Sequence, residues 1–310
     1  MNDNELNVLI TGGAGNLGGS LARELVRNNH SVVVVDNFIT GEKKKLPSFD
    51  NENFTFYEFD ANSKENMSQV FNETKFDIVF HYAALVGVIR TLENPLMVLD
   101  DIEGTRNILE LSVENNVSRF FFSSSSEVYG EPVEIPQNEI RTPLNARLPY
   151  AIVKNVCEAY CRSYKQVFDL DYTIMRFFNT YGPLQSNDFV ITKFIHQALK
   201  SEDLTVNGDG QQTRTFLYVD DNVHFIKKLL DTSECTNDTV NIGSSEQIKI
   251  IDLAHLIIEI TGSSSKIVHL PPLQEGDMTR RQPCISKMES INNKKLISLR
   301  EGIEKYLITL

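Results

Sequence analysis

The chain has 310 residues, 41% hydrophobic and 23% charged, an ordinary globular balance with enough length for one large domain and a smaller one. Its net charge of −12 argues against a nucleic-acid-binding surface and leaves anionic ligands to local basic residues. No apolar run approaches the roughly 20 residues of a membrane span, the opening MNDNELN is unlike a signal peptide, and the scattered cysteines, Cys157 and Cys161 on one helix face among them, read as reduced thiols of a cytoplasmic protein without a metal site.

The first element organises the rest. The apolar run Val8-Leu9-Ile10 predicts a buried parallel strand. It breaks into Gly12, Gly13, Gly15 and Gly18, and helix formers follow from Leu17 to Val26. Glycines in a strand-to-helix turn let the backbone turn sharply, approach a pyrophosphate and pack helix against strand. The helix N-terminus then offers N–H groups and the positive dipole end to phosphates. A second apolar strand, Ser31 to Val35, ends in Asp36. A carboxylate there accepts hydrogen bonds from the adenosine ribose and repels a 2′-phosphate, so the pattern specifies NAD over NADP.

Strand and helix keep alternating. Strands are expected at Asn53 to Phe59, Phe76 to Tyr82, Arg119 to Ser123 and Tyr172 to Phe177. Helices are expected from Asp60 through Phe71, from Pro95 to Asn116 and from Pro149 to Phe168. Such alternation means βαβ units in a doubly wound parallel α/β sheet, with ligands beyond the C-terminal strand ends. Further on, Phe189 to Lys200 reads as helix, Leu204 to Asn207 as strand, Asn207 to Gly210 as turn, and Phe216 to Val219 as strand. Asp220 is expected to cap a helix to Leu230. Strand Val240 to Ile242, amphipathic helix Ile251 to Thr261 and strand Lys266 to Leu270 complete a smaller α/β lobe. The expected division is a dinucleotide-binding domain over 1–178, with crossing segments from about 215–245, and a substrate lobe over 179–310.

Tyr150 and Lys154 are four apart on a helix and share a face. An ammonium beside a phenol favours phenolate, which makes a general base for a hydroxyl proton. Ser125, just past an apolar strand in SSSSEVYG, is placed to share that proton.

With these residues in hand, the chain resembles the extended short-chain dehydrogenases/reductases, the NAD-dependent nucleotide-sugar epimerases, dehydratases and decarboxylases. Matching stretches run nearly end to end: TGGAGNLGG, VVDNFITGEKKKL, FDIVFHYAA, SSSSEVYG, PYAIVK, RFFNTYGP, LTVNGDGQQTRTFLYVDD and TRRQPCISK. The resemblance implies a Rossmann domain and a retained, recycled NAD, with oxidation of a sugar C4 by way of Tyr150. It implies that Gly12, Gly15, Asn16, Leu17 and Gly18 line the pyrophosphate, and that Asp36 and Asn37 hold the ribose. Asp60 and Ala61 would flank the adenine, Ala83 and Ala84 would let the cofactor lie close, and Phe178 would border the nicotinamide, with Tyr150 and Lys154 also touching it. Asn179, Arg214 and Arg281, with Ser126, would contact a nucleotide-diphosphate sugar, UDP-linked for preference.

The triplet Ser125-Ser126-Glu127 separates the reactions. Dehydratases of this family usually carry acids at the last two places and simple 4-epimerases small neutral residues. Serine-serine-glutamate looks most like UDP-glucuronate decarboxylase, with Glu127 catalytic. UDP-hexose or N-acetylhexosamine 4-epimerase is the alternative, then 4,6-dehydratase, then a non-catalytic NAD-binding scaffold. Departures from the family pattern are Asp101 for asparagine, Leu184 for arginine, Cys284 for aspartate, Val153 for a small residue, and the Asn16-Leu17 pair. The resemblance also implies a homodimer through a four-helix bundle, with Leu109, Val113, Val156, Tyr160 and Tyr164 along the seam.

Overall fold

Strand β1 (Asn7–Thr11) lies between two parallel partners, β2 (Ser31–Val35) and β4 (Ile78–His81), with Leu9 opposite Val33 and Val79. β3 (Phe54–Tyr57) extends the sheet beyond β2, and β5 (Arg119–Ser125), β6 (Asp171–Phe177) and β11 (Asp238–Ile242) extend it beyond β4. The order β11-β6-β5-β4-β1-β2-β3 makes a seven-stranded doubly wound sheet. The structure, a computed structural model, describes residues 5–272 and 280–310.

Both sheet faces are buried, which is why its strands read as continuous apolar runs. Leu9, Val33, Val79, Phe120 and Phe122 form one core with Met67, Val98, Ile108, Val153 and Ile174. Those partners come largely from α2 (Lys64–Glu73), α4 (Pro95–Glu114) and α5 (Pro149–Phe168). Val8, Ile10, Val32, Val34, Phe80 and Phe121 are buried too, as are Leu21 and Leu25 of α1 (Asn16–Arg27). α3 (Val88–Glu93) is a short turn of helix before α4.

Residues 5–128, 146–176 and 223–240 form one compact unit. Residues 129–145, 177–222 and 241–310 form the other. The second unit holds three two-stranded ladders. β7 (Thr180–Tyr181) pairs in parallel with β10 (Leu217–Tyr218). β8 (Leu204–Asn207) pairs in parallel with β13 (Ile267–Leu270). β9 (Thr213–Thr215) pairs antiparallel with β12 (Gln247–Lys249), setting Arg214 opposite Ile248. Its helices are α6 (Val190–Leu199), α8 (Ile250–Thr261), α9 (Ser286–Ile291) and α10 (Leu299–Ile308). Helix α7 (Val219–Asp231) begins there and runs into the first unit.

Several boundaries differ from the sequence expectation. Asp60 does not start a helix: its Oδ1 accepts from the backbone N–H of Asn62 at 3.0 Å, a local turn that delays α2 until Ser63 caps it by accepting from the Asn66 N–H. Asp220 lies inside the first turn of α7, which starts directly from β10. Of the expected dimer-seam residues, Leu109 and Tyr164 are buried in the chain's own core, and Val113 and Tyr160 pack against it. Among the described residues, no helix is long and apolar enough to cross a membrane.

Candidate active site

The C-terminal ends of β1 to β5 carry most of the expected cofactor residues, all in the first unit. Gly12 follows β1 at φ +70°, and a Cβ there would meet the Ala83 backbone nitrogen at 2.5 Å. Only glycine allows β1 and the chain after β4 to approach so closely. Gly15 caps α1 without a side-chain hydrogen bond, so the first backbone N–H groups, on Asn16 and Leu17, point out of the helix end. Gly18 packs on the turn: a Cβ there would lie 2.5 Å from the Gly12 carbonyl oxygen. The result is a glycine cradle ending in a helix N-terminus, which fits a dinucleotide pyrophosphate.

Asp36, at the end of β2, is buried. Its Oδ2 accepts from the Ala14 N–H at 2.9 Å and its Oδ1 from the Phe38 N–H at 2.8 Å. Burial pushes its carboxyl above the ordinary value, with those two donors and Lys45 pulling the other way. Each oxygen retains a lone pair, enough to take ribose hydroxyls. Asn37 is exposed, with Oδ1 accepting from the Ile39 N–H. Asp60 is exposed and Ala61 buried after β3, and Ala83 and Ala84 are half-buried after β4. The glycine turn, Asp36 and the alanine pair are thus brought to one edge of the sheet.

The residues expected to handle the proton lie on neighbouring elements. Ser125 ends β5, and its Oγ accepts from the Glu127 N–H at 3.2 Å, which bends the chain into the 3-10 turn Ser126–Tyr129. Ser126 is buried within it and Glu127 is half-buried. Tyr150 and Lys154 lie on α5. The Lys154 Nζ sits 5.0 Å from the Phe122 ring centroid and 5.7 Å from that of Tyr150. Lys154 is only 4% exposed. Burial lowers its pKa, and the negative charge of Asp101 opposes that. Two buried groups anchor α5, Glu158 to the sheet and Cys157 to α4. Glu158 accepts from Ser124, Arg162 and Arg176, and Cys157 donates to Thr105 Oγ1 at 3.3 Å.

His81, Thr11, Thr105 and Asp101 carried no expectation of a role. Thr105 Oγ1 donates to the Asp101 carbonyl at 2.8 Å, so His81 Nε2, 3.0 Å away, must donate to Thr105. Nδ1 is then the acceptor for the Thr11 hydroxyl at 2.7 Å. Burial and the nearby Lys154 push His81 down to about 3, which keeps it neutral. The network ties β1, β4 and α4 together beneath the cofactor edge. No local periodicity announces it, because its members are far apart in sequence.

The remaining expected residues belong to the second unit. Phe178 donates its N–H to the Ile242 carbonyl at 2.9 Å. Asn179 Nδ2 donates to the Thr215 carbonyl at 3.1 Å, and its own carbonyl accepts from Leu217. Arg214 and Arg281 are both buried to more than nine-tenths, whereas Arg280 is exposed. Arg214 Nη1 donates to the Thr213 carbonyl at 2.8 Å. Among the described residues, no group of three His, Cys, Asp or Glu side chains could hold a metal ion.

Residues 8–243 match the model of the NAD dependent epimerase/dehydratase family. The chain is 34% identical over 303 residues to a putative UDP-glucose 4-epimerase of Methanocaldococcus jannaschii, covering 96% of each. It is 37% identical over 297 residues to the UDP-N-acetyl-alpha-D-glucosaminuronate decarboxylase of Bacillus cytotoxicus, covering 91% of this chain and 90% of that one. In structure it is similar to the UDP-glucose 4-epimerase of Thermotoga maritima solved with UDP-glucose, at a TM-score of 0.91 and 32% identity, covering 98% and 99% of the two chains. The glycine cradle, the acid after β2 and this end-to-end similarity place the chain in the NAD-dependent epimerase/dehydratase family.

Proposed function

We propose that this protein modifies a UDP-linked sugar through a 4-keto intermediate, and that its reaction is decarboxylation of a UDP-uronic acid, UDP-glucuronate first. The observation that carries the reading is the Ser125-Ser126-Glu127 turn at the end of β5, taken with the Tyr150–Lys154 pair on α5. It offers one acid where dehydration calls for two and simple epimerisation for none. The similarity to a uronate decarboxylase supports it; the similarity to 4-epimerases supports the second reading, a UDP-hexose 4-epimerase.

NAD, held by Gly12, Gly15, Asn16, Leu17, Gly18, Asp36 and Asn37, would supply reversible hydride acceptance at the sugar C4. Asp60, Ala61, Ala83, Ala84 and Phe178 would shape the rest of its site. Tyr150 takes the C4 hydroxyl proton, and the Lys154 ammonium stabilises the phenolate. Ser125 shares the hydrogen bond to the C4 oxygen. In the resulting β-keto acid the C5–C6 bond breaks, carbon dioxide leaves and the electron pair enters the C4 enolate. Glu127 lies on the turn that would hold C5 and C6 and is assigned to proton return there. Asn179, Arg214 and Arg281, with Ser126, are assigned to the sugar nucleotide, the guanidinium groups suiting phosphate oxygens.

The protein is further proposed to act as a cytoplasmic homodimer through α4 and α5. Leu96, Leu99, Ile152 and Val167 are exposed on these helices and would form part of the seam. Incubation with a panel of UDP-, GDP-, CDP- and dTDP-sugars, with products read by mass, tests the reading. A UDP-pentose from UDP-glucuronate supports decarboxylation; a change confined to UDP-hexoses supports the second reading.

A further inference from the structure

Asp101, on α4, is 8% exposed, and both its oxygens accept hydrogen bonds. Asn62 Nδ2 donates to Oδ1 at 3.0 Å, and the Leu85 backbone N–H donates to Oδ2 at 3.1 Å. Asn62 directly follows Asp60 and Ala61 in the loop after β3. Leu85 directly follows Ala83 and Ala84 in the loop after β4. One carboxylate therefore fastens two loops at the edge where the glycine cradle lies.

The seat of Asn62 is built around this contact. Gly104, on the same stretch of α4, leaves the space that the Asn62 side chain fills, since a Cβ there would collide with Asn62 Oδ1. Asn107 Nδ2 donates to the Asn62 carbonyl at 3.4 Å.

We infer that Asp101 is a positioning residue of this site: its carboxylate clamps the loops after β3 and β4 through Asn62 and Leu85. The inference rests on reading this edge as the NAD site. Asp101→Asn keeps the shape and, if the Asn62 amide turns over, both hydrogen bonds. Asp101→Ala removes both bonds.

The test is NAD affinity by calorimetry on the full chain, with circular dichroism confirming folding and Asp101→Asn as the conservative rescue. Asn62→Ala serves as the second clamp variant. Asp101→Ala and Asn62→Ala are expected to bind NAD about tenfold more weakly, from the loss of buried hydrogen bonds, and Asp101→Asn within about threefold of the parent. NAD affinities equal to the parent's in Asp101→Ala and Asn62→Ala would overturn the clamp. The calorimetry needs no sugar turnover. A parent that binds no NAD sinks the cofactor reading, whereas a parent that binds NAD but is unaffected by the variants sinks the clamp alone.

Discussion

The Ser124 hydroxyl donates to Glu158 Oε1 at 2.6 Å, joining the strand residue before Ser125 to the helix that carries Tyr150 and Lys154. Arg176 of β6 grips the same carboxylate with two hydrogen bonds, Nε at 2.8 Å and Nη2 at 2.7 Å, and Arg162 adds a third donor. Glu158 is fully buried. Removing it leaves the buried Arg176 without its counter-charge, so Glu158→Ala should cost about 3–5 kcal/mol in chemical denaturation. Ser124→Ala removes one hydrogen bond and should cost about 1 kcal/mol, with a measurable loss of kcat and little change in KM. Equal stability of parent and Glu158→Ala would contradict the bracing role.

The same cluster sets an acid limit. Burial pushes the Glu158 carboxyl up, but Arg176, Ser124 and Arg162 outweigh it and hold the pKa below the ordinary 4.5. A group lowered on folding contributes stability above its unfolded value and loses it as pH falls through the folded one. The melting-temperature gap between parent and Glu158→Gln should therefore hold from pH 7 to about 4.5 and narrow below it. A gap that widens on acidification would reverse the sign of the assignment.

Tyr150→Phe removes the proposed proton carrier and leaves the glycine cradle untouched. Turnover should fall by roughly 10²–10⁴-fold, the range for general acid–base catalysis, with NAD affinity within a few-fold of the parent. Full turnover in this variant would exclude Tyr150 as the base.

Gly12→Ala tests the cradle. Its φ of +70° is strained for any side chain, and the added methyl would press on the Tyr82 and Ala83 backbone. The strain of the left-handed conformation alone is about 1–2 kcal/mol, and the backbone collision adds to it. Calorimetry should show NAD binding lost or severely weakened, and the melting temperature should fall.

Elements with strong local signals are legible in the sequence itself. Ser31–Val35 and Pro149–Phe168 have the bounds that apolar runs and proline-led helix starts suggest. The glycine turn, Asp36 and the Tyr150–Lys154 spacing are also local patterns. What stayed hidden is non-local. Nothing near Asp101 in sequence says that Asn62 and Leu85 converge on it, and it stood out only as a departure from the family pattern. The antiparallel pairing of β9 with β12 joins two three-residue segments too short to show a period. Asp220 resembles a helix cap by composition, but a helix running straight out of β10 overrides it, and a local turn at Asp60 delays the helix expected there.

The most direct measurement is the mass of the nucleotide product after incubation with UDP-glucuronate and NAD, with Tyr150→Phe alongside. The account predicts loss of one carbon dioxide to give a UDP-pentose from the parent chain, and unchanged substrate from the variant. Intact UDP-glucuronate in both, alongside interconversion of UDP-glucose and UDP-galactose by the parent, would contradict decarboxylation and assign the chain to the 4-epimerases.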